Sequence, residues 1–246
     1  MRPFQFKQFT IHQDRCAMKV GTDGILLGAW TSLEKSPDRI LDIGTGTGLI
    51  SLMLAQRSTA ETLDAVELDD DAYEQCVRNF ENSPWADQLF CFHAGLEEFV
   101  EEFREEGSLK TEKYDLIVSN PPFFEPSLKM EEHMKASRKK ARFFDSLPFK
   151  TLLEGASQLL TVTGSFSVIV PYAEETTFMR LASSFELFPW RRTHVRGIAK
   201  SPIRRSLLQF GFQKGKIEKD EIAIEIGPKV YSKEYRELTQ DFYLKM

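Results

Sequence analysis

Residues 41–48 read Leu41-Asp42-Ile43-Gly44-Thr45-Gly46-Thr47-Gly48 and join an apolar strand pattern, Arg39–Ile43, to an apolar helix pattern, Leu49–Arg57. A strand that turns through three glycines straight into a helix packs that helix on a parallel sheet. It also leaves bare backbone beside the turn, where a ligand can approach. In the dehydrogenase version, G-x-G-x-x-G, the bare turn seats a pyrophosphate on the helix N-terminus. Here the spacing is G-x-G-x-G, and Asp42 stands on the strand just before it. A carboxylate there repels a pyrophosphate and suits an ammonium or sulfonium group. The loop therefore favours S-adenosylmethionine over NAD.

The rest of the pattern agrees. Further strands are expected at Leu63–Leu68, Leu89–His93, Tyr114–Ser119 and Ser165–Val170. Helices are expected at Asp70–Asn82, Leu96–Glu106, Phe149–Leu160 and Glu174–Phe185. Early strands such as Tyr114-Asp115-Leu116-Ile117-Val118 are nearly continuously apolar, as strands buried on both faces of a parallel sheet are. Their alternation with helices implies an α/β fold with a doubly wound, mostly parallel sheet. Ser206–Phe212 and Glu221–Ile226 read as strands with no helix between them, so an antiparallel edge is expected there. Tyr231–Tyr243 reads as a closing helix or helical turn. The 246 residues contain no internal repeat, and a single domain over 1–246 is expected. An N-terminal arm and helix, 1–34, lead in, with Thr22 or Asp23 as the helix cap. A connection as long as 121–147 inside one domain is expected to be functional, on the substrate side.

Glu67 ends the second strand, nineteen residues beyond Gly48. An acid at that place accepts hydrogen bonds from both hydroxyls of a ribose. Asp69 to Asp71 suit a helix cap and first turn instead. Asn120-Pro121-Pro122-Phe123 stands at the C-terminal end of the fourth strand, where doubly wound sheets bind ligands. An exocyclic amine conjugated to a ring is a poor nucleophile, because its lone pair is delocalised. The Asn120 oxygen and the Pro121 carbonyl can each accept an amine proton, aim the lone pair at a methyl donor and stabilise the positive charge that develops. Phe123, with Phe124 beside it, can stack on the base. An activated sulfonium needs no metal, and the scattered His12, His93, His133 and His194 suggest no metal site. The motif alone reaches only as far as an amine on a planar acceptor.

Charge is distributed in blocks. The formal net charge is −5, yet Trp190 to Lys216 holds eight basic residues and no acidic one. Lys135 to Lys150 holds six basic residues against Asp145, whereas Glu61 to Glu106 holds fifteen acidic residues against Arg78 and Arg104. A chain polarised in this way can hold a polyanion on one face. Cys16, Cys76 and Cys91 have neither C-x-x-C nor zinc-like spacing, so packed, reduced thiols are expected. No apolar run approaches a membrane span, and Met1 to Phe6 lacks the apolar core of a secretory signal. A cytoplasmic monomer without membrane or metal partners is expected.

With these motifs the chain resembles the bacterial tRNA1(Val) adenosine-37 N6-methyltransferases, within the class I Rossmann-like methyltransferases. The resemblance spans nearly the whole length. It rests on Phe9-Thr10-Ile11-His12-Gln13, on Ala17-Met18-Lys19-Val20-Gly21-Thr22-Asp23-Gly24, on the glycine loop, Glu67 and Asn120-Pro121-Pro122-Phe123, and on Asp241-Phe242-Tyr243-Leu244. The glycine loop and the Asn-Pro-Pro-Phe motif mark the superfamily, and the opening from Ala17 to Trp30 is more particular to this group.

The resemblance implies a seven-stranded sheet, S-adenosylmethionine as cofactor, and N6-methylation of an adenosine in tRNA. It implies that Asp42, Gly44, Gly46, Gly48 and Glu67 contact the cofactor, and that Lys19, Thr22 and Asp23 fold over the cofactor pocket. Asn120, Pro121 and Phe123 would frame the target amine. RNA phosphates would follow Arg138, Lys139, Lys140 and Arg142 in the long loop, and Arg191, Arg192, Arg196, Lys200, Arg204 and Arg205 later. Many class I enzymes carry an acid after the third strand that reaches the cofactor adenine. Here the place falls near Gly95 or Leu96, with Glu97 following, and the contact stays unassigned.

Three rival readings use the same residues. Related motifs serve enzymes that methylate a protein glutamine or an amine in ribosomal RNA, and Asn-Pro-Pro-Phe does not separate these acceptors. A nucleotide-binding oxidoreductase is disfavoured by the glycine spacing and Asp42. A non-catalytic RNA-binding protein is disfavoured because Asp42, Gly44, Gly46, Glu67 and Asn120 are all intact.

Overall fold

In a computed structural model, residues 2–105, 113–122 and 147–245 are described. The chain opens with a small antiparallel hairpin, β1 (Phe4–Gln5) with β2 (Thr10–Ile11). Its aromatic residues clasp the C-terminal end: Phe6 stacks on Phe9 at 4.6 Å and pairs by backbone with Tyr243. Helix α1 (Thr22–Trp30) follows, capped by Gly21 without a side-chain bond, so neither Thr22 nor Asp23 is the cap. Both already lie inside the first turn, which leaves their side chains free to face other elements.

The main sheet then forms from β3 (Arg39–Ile43), β4 (Thr62–Glu67), β5 (Leu89–His93), β6 (Tyr114–Ser119) and β7 (Leu160–Pro171). It continues with β8 (Phe188–Ile198), β9 (Ile203–Gly211), β10 (Glu218–Gly227) and β11 (Val230–Tyr231). Strand order is β11-β10-β8-β9-β7-β6-β3-β4-β5. β3 lies parallel to both β4 and β6, so the chain reverses its direction of progress across the sheet between β3 and β6. That reversal opens a crevice at the C-terminal ends of the two strands.

Among the described residues the sheet has nine strands in place of the expected seven. The added ones are the two-residue β11 and one of the late strands, where β8 escapes the apolar periodicity. Its Arg191, Arg192, Thr193, His194 and Arg196 read as a charged tract, and Val195 is its buried apolar residue. The antiparallel members are β9, against β7 and β8, and β11, against β10. β10 itself runs parallel to β8, with Ile222 opposite Val195. The closing helix is α7 (Lys233–Thr239), shorter than the expected span because Ser232 caps it and β11 takes up Val230–Tyr231.

Helices cover both faces. On one face α1, α2 (Leu49–Arg57), α3 (Asp70–Glu81) and α7 pack with Ile40, Leu63, Leu116 and Ile169 of the strands. On the other, α4 (Leu96–Glu105), α5 (Phe149–Leu159) and α6 (Glu175–Ser183) pack with Leu41, Ile43, Ile117, Val168 and Val170. Successive strand residues thus alternate between two cores, which is why early strands such as β6 read as nearly continuous apolar runs. No helix among the described residues is long and apolar enough to cross a membrane.

Candidate cofactor and acceptor site

The glycine loop takes the shape that its residue types require. Gly44, Gly46 and Gly48 have φ of +70°, +60° and +79°. At Gly48 the demand is double: a Cβ would also lie 2.6 Å from the Phe80 ring. At Gly46 the space beyond the backbone is open, with the Cys16 Sγ 4.0 Å from the position of a Cβ. Gly48 thus lets α2 press onto α3, and Gly46 keeps the upper surface of the turn bare.

Two acids stand around this loop, in different states. Asp42 is fully buried behind it rather than on its open surface. Its Oδ2 accepts hydrogen bonds from Thr45 Oγ1 and Ser51 Oγ, both at 2.7 Å, and its Oδ1 has no partner. Burial pushes the carboxyl up to about 6; the two hydroxyls pull it down, and the Glu67 charge adds to the rise. Glu67 ends β4. Its Oε2 accepts from Gly46 N at 2.8 Å and its Oε1 from the amides of Leu68 and Asp69 at 2.9 and 3.0 Å. Asp69 in turn caps α3 by accepting from Ala72 N at 2.8 Å, as expected of that acid.

The end of β6 is pinned one strand away, where Ser119 Oγ donates to the Ile43 carbonyl at 2.8 Å. Asn120 follows, half-buried beside the N-terminus of α1, and a Cβ on Gly24 would lie 4.0 Å from its Nδ2. Among the described residues nothing hydrogen-bonds the Asn120 side chain. Pro121 is buried and Pro122 exposed.

Glycine loop and β6 end share one cavity of about 400 Å³. Gly44 to Thr47 form its floor, Asn120 and Pro121 one end, and Met18, Lys19 and Gly21 of the arm its outer wall. Thr22, Asp23 and Gly24 of α1 and Leu49 and Ile50 of α2 complete it. A buried carboxylate oxygen without a partner, a second acid at the loop and open space above Gly46 suit a ligand that carries positive charge. They do not suit a pyrophosphate. Among the described residues no group of three or more His, Cys, Asp or Glu is placed to hold a metal ion.

Residues 24–187 match the model of the methyltransferase small domain family. A tRNA1(Val) (adenine(37)-N6)-methyltransferase of Christiangramia forsetii is 56% identical over 100% of this chain and 99% of its own length. The enzyme of the same name from Flavobacterium johnsoniae is 54% identical over 99% of this chain and 100% of its own. The chain belongs to the tRNA1(Val) (adenine(37)-N6)-methyltransferase family.

Solved methyltransferase structures share the fold at low identity. A protein of Agrobacterium tumefaciens described as a predicted O-methyltransferase aligns with TM-score 0.66 at 18% identity, over 89% of this chain and 96% of that one. One from Bacillus cereus, solved in complex with SAH, aligns with TM-score 0.53 at 12% identity, over 80% and 84%.

Within this methyltransferase fold, the other expected site residues sort into three groups. The first is on the cavity but committed. Lys19 Nζ donates to the Gln13 carbonyl at 2.7 Å and to that of Cys16, so its charge holds the arm together. Asp23 pairs with Arg205 at 2.8 Å.

The second group is engaged elsewhere. Arg192 pairs with buried Glu175 at 2.7 Å, and Arg196 grips Glu221 at 2.7 and 3.1 Å. The Arg191 guanidinium lies 4.4 Å over the Trp30 ring and donates to the Trp30 carbonyl. These arginines, with Arg205, therefore stabilise the late strands first, because a strand so rich in charge joins a sheet only if its charges are met there. Arg204 is different: its side chain is exposed at the start of β9, opposite the C-terminal end of β7. Lys200 is exposed in the neighbouring turn.

The third group, Phe123, Arg138, Lys139, Lys140 and Arg142, lies outside the described residues, as does Phe124. Met18, Leu49 and Ile50 are cavity residues that carry no chemical signature in the sequence. Leu68 is not part of that lining; it stands 60% exposed beside Gly95.

Proposed function

We propose that this protein transfers a methyl group from S-adenosylmethionine to N6 of an adenosine in tRNA, adenosine 37 of tRNA1(Val). The observation that carries the reading is the shared cavity, with the glycine loop as floor and Asn120 and Pro121 at one end. The family membership supplies the acceptor. A tRNA substrate places the reaction in the cytoplasm.

The residues fit S-adenosylmethionine, which when bound supplies a methyl group already activated by its sulfonium. Gly44 to Thr47 would hold it against bare backbone, while Asp42 and Glu67 supply the negative potential that a cationic ligand needs. Glu67 already receives three backbone amides, out of roughly four acceptor positions on a carboxylate. A ribose diol on Glu67 therefore replaces at least one of them. Exposed Leu68 and the adjoining Gly95 offer an apolar surface for the adenine ring. Glu97, by contrast, lines a separate groove between α4 and α5, which argues against it as the adenine contact.

Asn120 and Pro121 perform the acceptor chemistry. The Asn120 amide oxygen and the Pro121 carbonyl each accept a hydrogen bond from one of the two amine N–H groups, so the nitrogen lone pair leaves the ring system and points into the cavity. Both acceptors then stabilise the positive charge that grows on nitrogen, and one of the two protons is released to water once the N–C bond has formed. The aim of the acceptors is fixed in advance, since Ser119 is bonded to β3 and the two prolines restrict the backbone that follows. An anticodon-loop adenosine is already unpaired, so bringing it to this end of the cavity costs less than flipping it from a duplex.

The decisive experiment is methyl transfer from labelled S-adenosylmethionine to unmodified total tRNA, followed by nucleoside mass spectrometry. N6-methyladenosine is expected with the wild-type protein. With Asn120→Ala it is expected to fall on the order of 10²–10³-fold, the usual cost of removing one preorganised charge-stabilising group. S-adenosylhomocysteine (SAH) affinity should stay within about threefold, equivalent to less than 1 kcal/mol. A protein that binds SAH but leaves tRNA unlabelled would keep the fold and move the acceptor to an amine in ribosomal RNA or a protein glutamine.

A further inference from the structure

Helix α3 meets the sheet through a stripe at helical spacing, Ala72, Gln75, Cys76, Asn79 and Phe80, and two of its five residues are amides. An amide on a buried stripe costs stability unless its polar atoms are bonded. Both side chains, each 1% exposed, turn to the N-terminal arm rather than to the core. Asn79 Oδ1 accepts from His12 N at 2.9 Å, and its Nδ2 donates to the carbonyls of His12 at 2.9 Å and Thr47 at 2.8 Å. Gln75 Oε1 accepts from Asp14 N at 3.1 Å and Arg15 N at 3.2 Å, while its Nε2 is buried without a partner. An ion pair between Arg15 and Glu74 lies outside them.

We propose that Gln75 and Asn79 are positioning residues for the cofactor: they seat residues 12–21 as the outer wall of the cavity and tie that wall to the glycine loop. The inference rests on the S-adenosylmethionine reading above. The link to the loop is direct, since one Asn79 amide holds arm and Thr47 together, and Cys16 of the arm sits over Gly46. Arm packing alone does not account for Gln75, because an apolar residue there would fill the stripe without leaving a buried N–H unmet. What the amide provides is a grip on the backbone of Asp14 and Arg15, just before the Met18 to Gly21 segment that lines the cavity. A loosened arm removes one wall and frees the Thr47 edge of the floor while leaving the acceptor end in place, so cofactor affinity suffers before the chemical step does.

The test is calorimetric titration with SAH, alongside steady-state kinetics, on wild type, Asn79→Ala and Gln75→Met. Gln75→Met keeps the length of the side chain and deletes its acceptor. Wild type is expected to bind; its failure to do so would overturn the cofactor reading itself. In either variant the SAH Kd is expected to rise about tenfold, roughly the net contribution of one hydrogen bond. KM for S-adenosylmethionine should rise in parallel, with kcat within about twofold, the pattern of lost uniform binding. A lower melting temperature with unchanged Kd in a folded variant would show a merely structural role and overturn the proposal. Should both variants fail to fold, hydrogen exchange on the wild type decides. SAH is expected to slow exchange at the amides of His12, Asp14 and Arg15, and equal rates with and without it overturn the proposal.

Discussion

The two ends of the sheet satisfy their polar side chains in different ways. Around the glycine loop, side chains bond mostly to backbone: Glu67 to three amides, Asn79 to His12 and Thr47, Lys19 to two carbonyls, Ser119 to Ile43. Across β8, β9 and β10, side chains bond mostly to each other. Glu175 takes Arg192, His194 and Ser206, Glu221 takes Arg196, and Asp23 takes Arg205. Side chains bonded to backbone shape a loop and leave its open surface ready for a ligand. Side chains bonded to each other hold strands together where apolar residues are few. A block of basic residues in the sequence is therefore available to a polyanion only where the fold leaves those charges outward, as it leaves Arg204.

The sharpest way to break this comparison is at Glu175, where three late-strand groups converge. Glu175→Ala strands Arg192 in a partly buried place, and a loss of about 3–5 kcal/mol in urea unfolding is expected, as when one partner of a buried pair is removed. The SAH Kd of the folded variant should not move. A loss under about 1 kcal/mol would place these charges with ordinary surface pairs and dissolve the contrast.

Asp42 probes the other end with a smaller effect. Its carboxyl rises from 3.8 to about 6 on folding, so the folded protein binds more protons than the unfolded chain between those values. Wild-type stability due to this group therefore falls as pH rises through that window and stays lower above it. Asp42→Asn lacks the window. Relative to wild type it is expected to gain up to about 3 kcal/mol above pH 7, with the gain shrinking as pH drops below about 6. SAH affinity should weaken in the same variant, because the negative potential behind the loop is gone. Melting curves at several pH values beside SAH titrations give both signs, and a gain that grows toward acid would mean the charged form is favoured by folding.

The smallest effect is expected at the rim. Arg204→Glu should lower tRNA affinity a few-fold at moderate salt and reduce the slope of log affinity against log salt by about 1, with SAH binding untouched. Arg196→Ala, which loses an internal pair, should leave that slope unchanged. Equal slopes for both variants, measured by filter binding across a salt series, would remove the distinction between inward and outward arginines.

Much of the site is legible in the sequence because its requirements are local. Three glycines at alternate positions meet a positive φ at each, Glu67 must end the next strand, and Asn120 must follow an apolar strand by one residue. β8 is illegible for the opposite reason. Its charged residues acquire partners from α6 and β10, and the Thr193 hydroxyl meets the Trp30 indole N–H at 2.9 Å, 163 residues away in sequence. No periodicity within eleven residues carries that information. The stripe of α3 lies between these cases: its spacing is helical, but two amides at apolar positions gain a purpose only when the arm lies on them.

The sequence by itself therefore determined the mostly parallel α/β architecture, the glycine turn after β3, and the chemical types that stand at the ends of β3, β4 and β6. These follow from backbone sterics and strand–helix order, which act over a few residues at a time. Tertiary structure decided which acid stands behind the loop and which one holds it, which arginines are outward, and what seats the arm. Each of those depends on how far a charge or amide is buried and on which distant group meets it, and burial is settled only when the whole chain has packed.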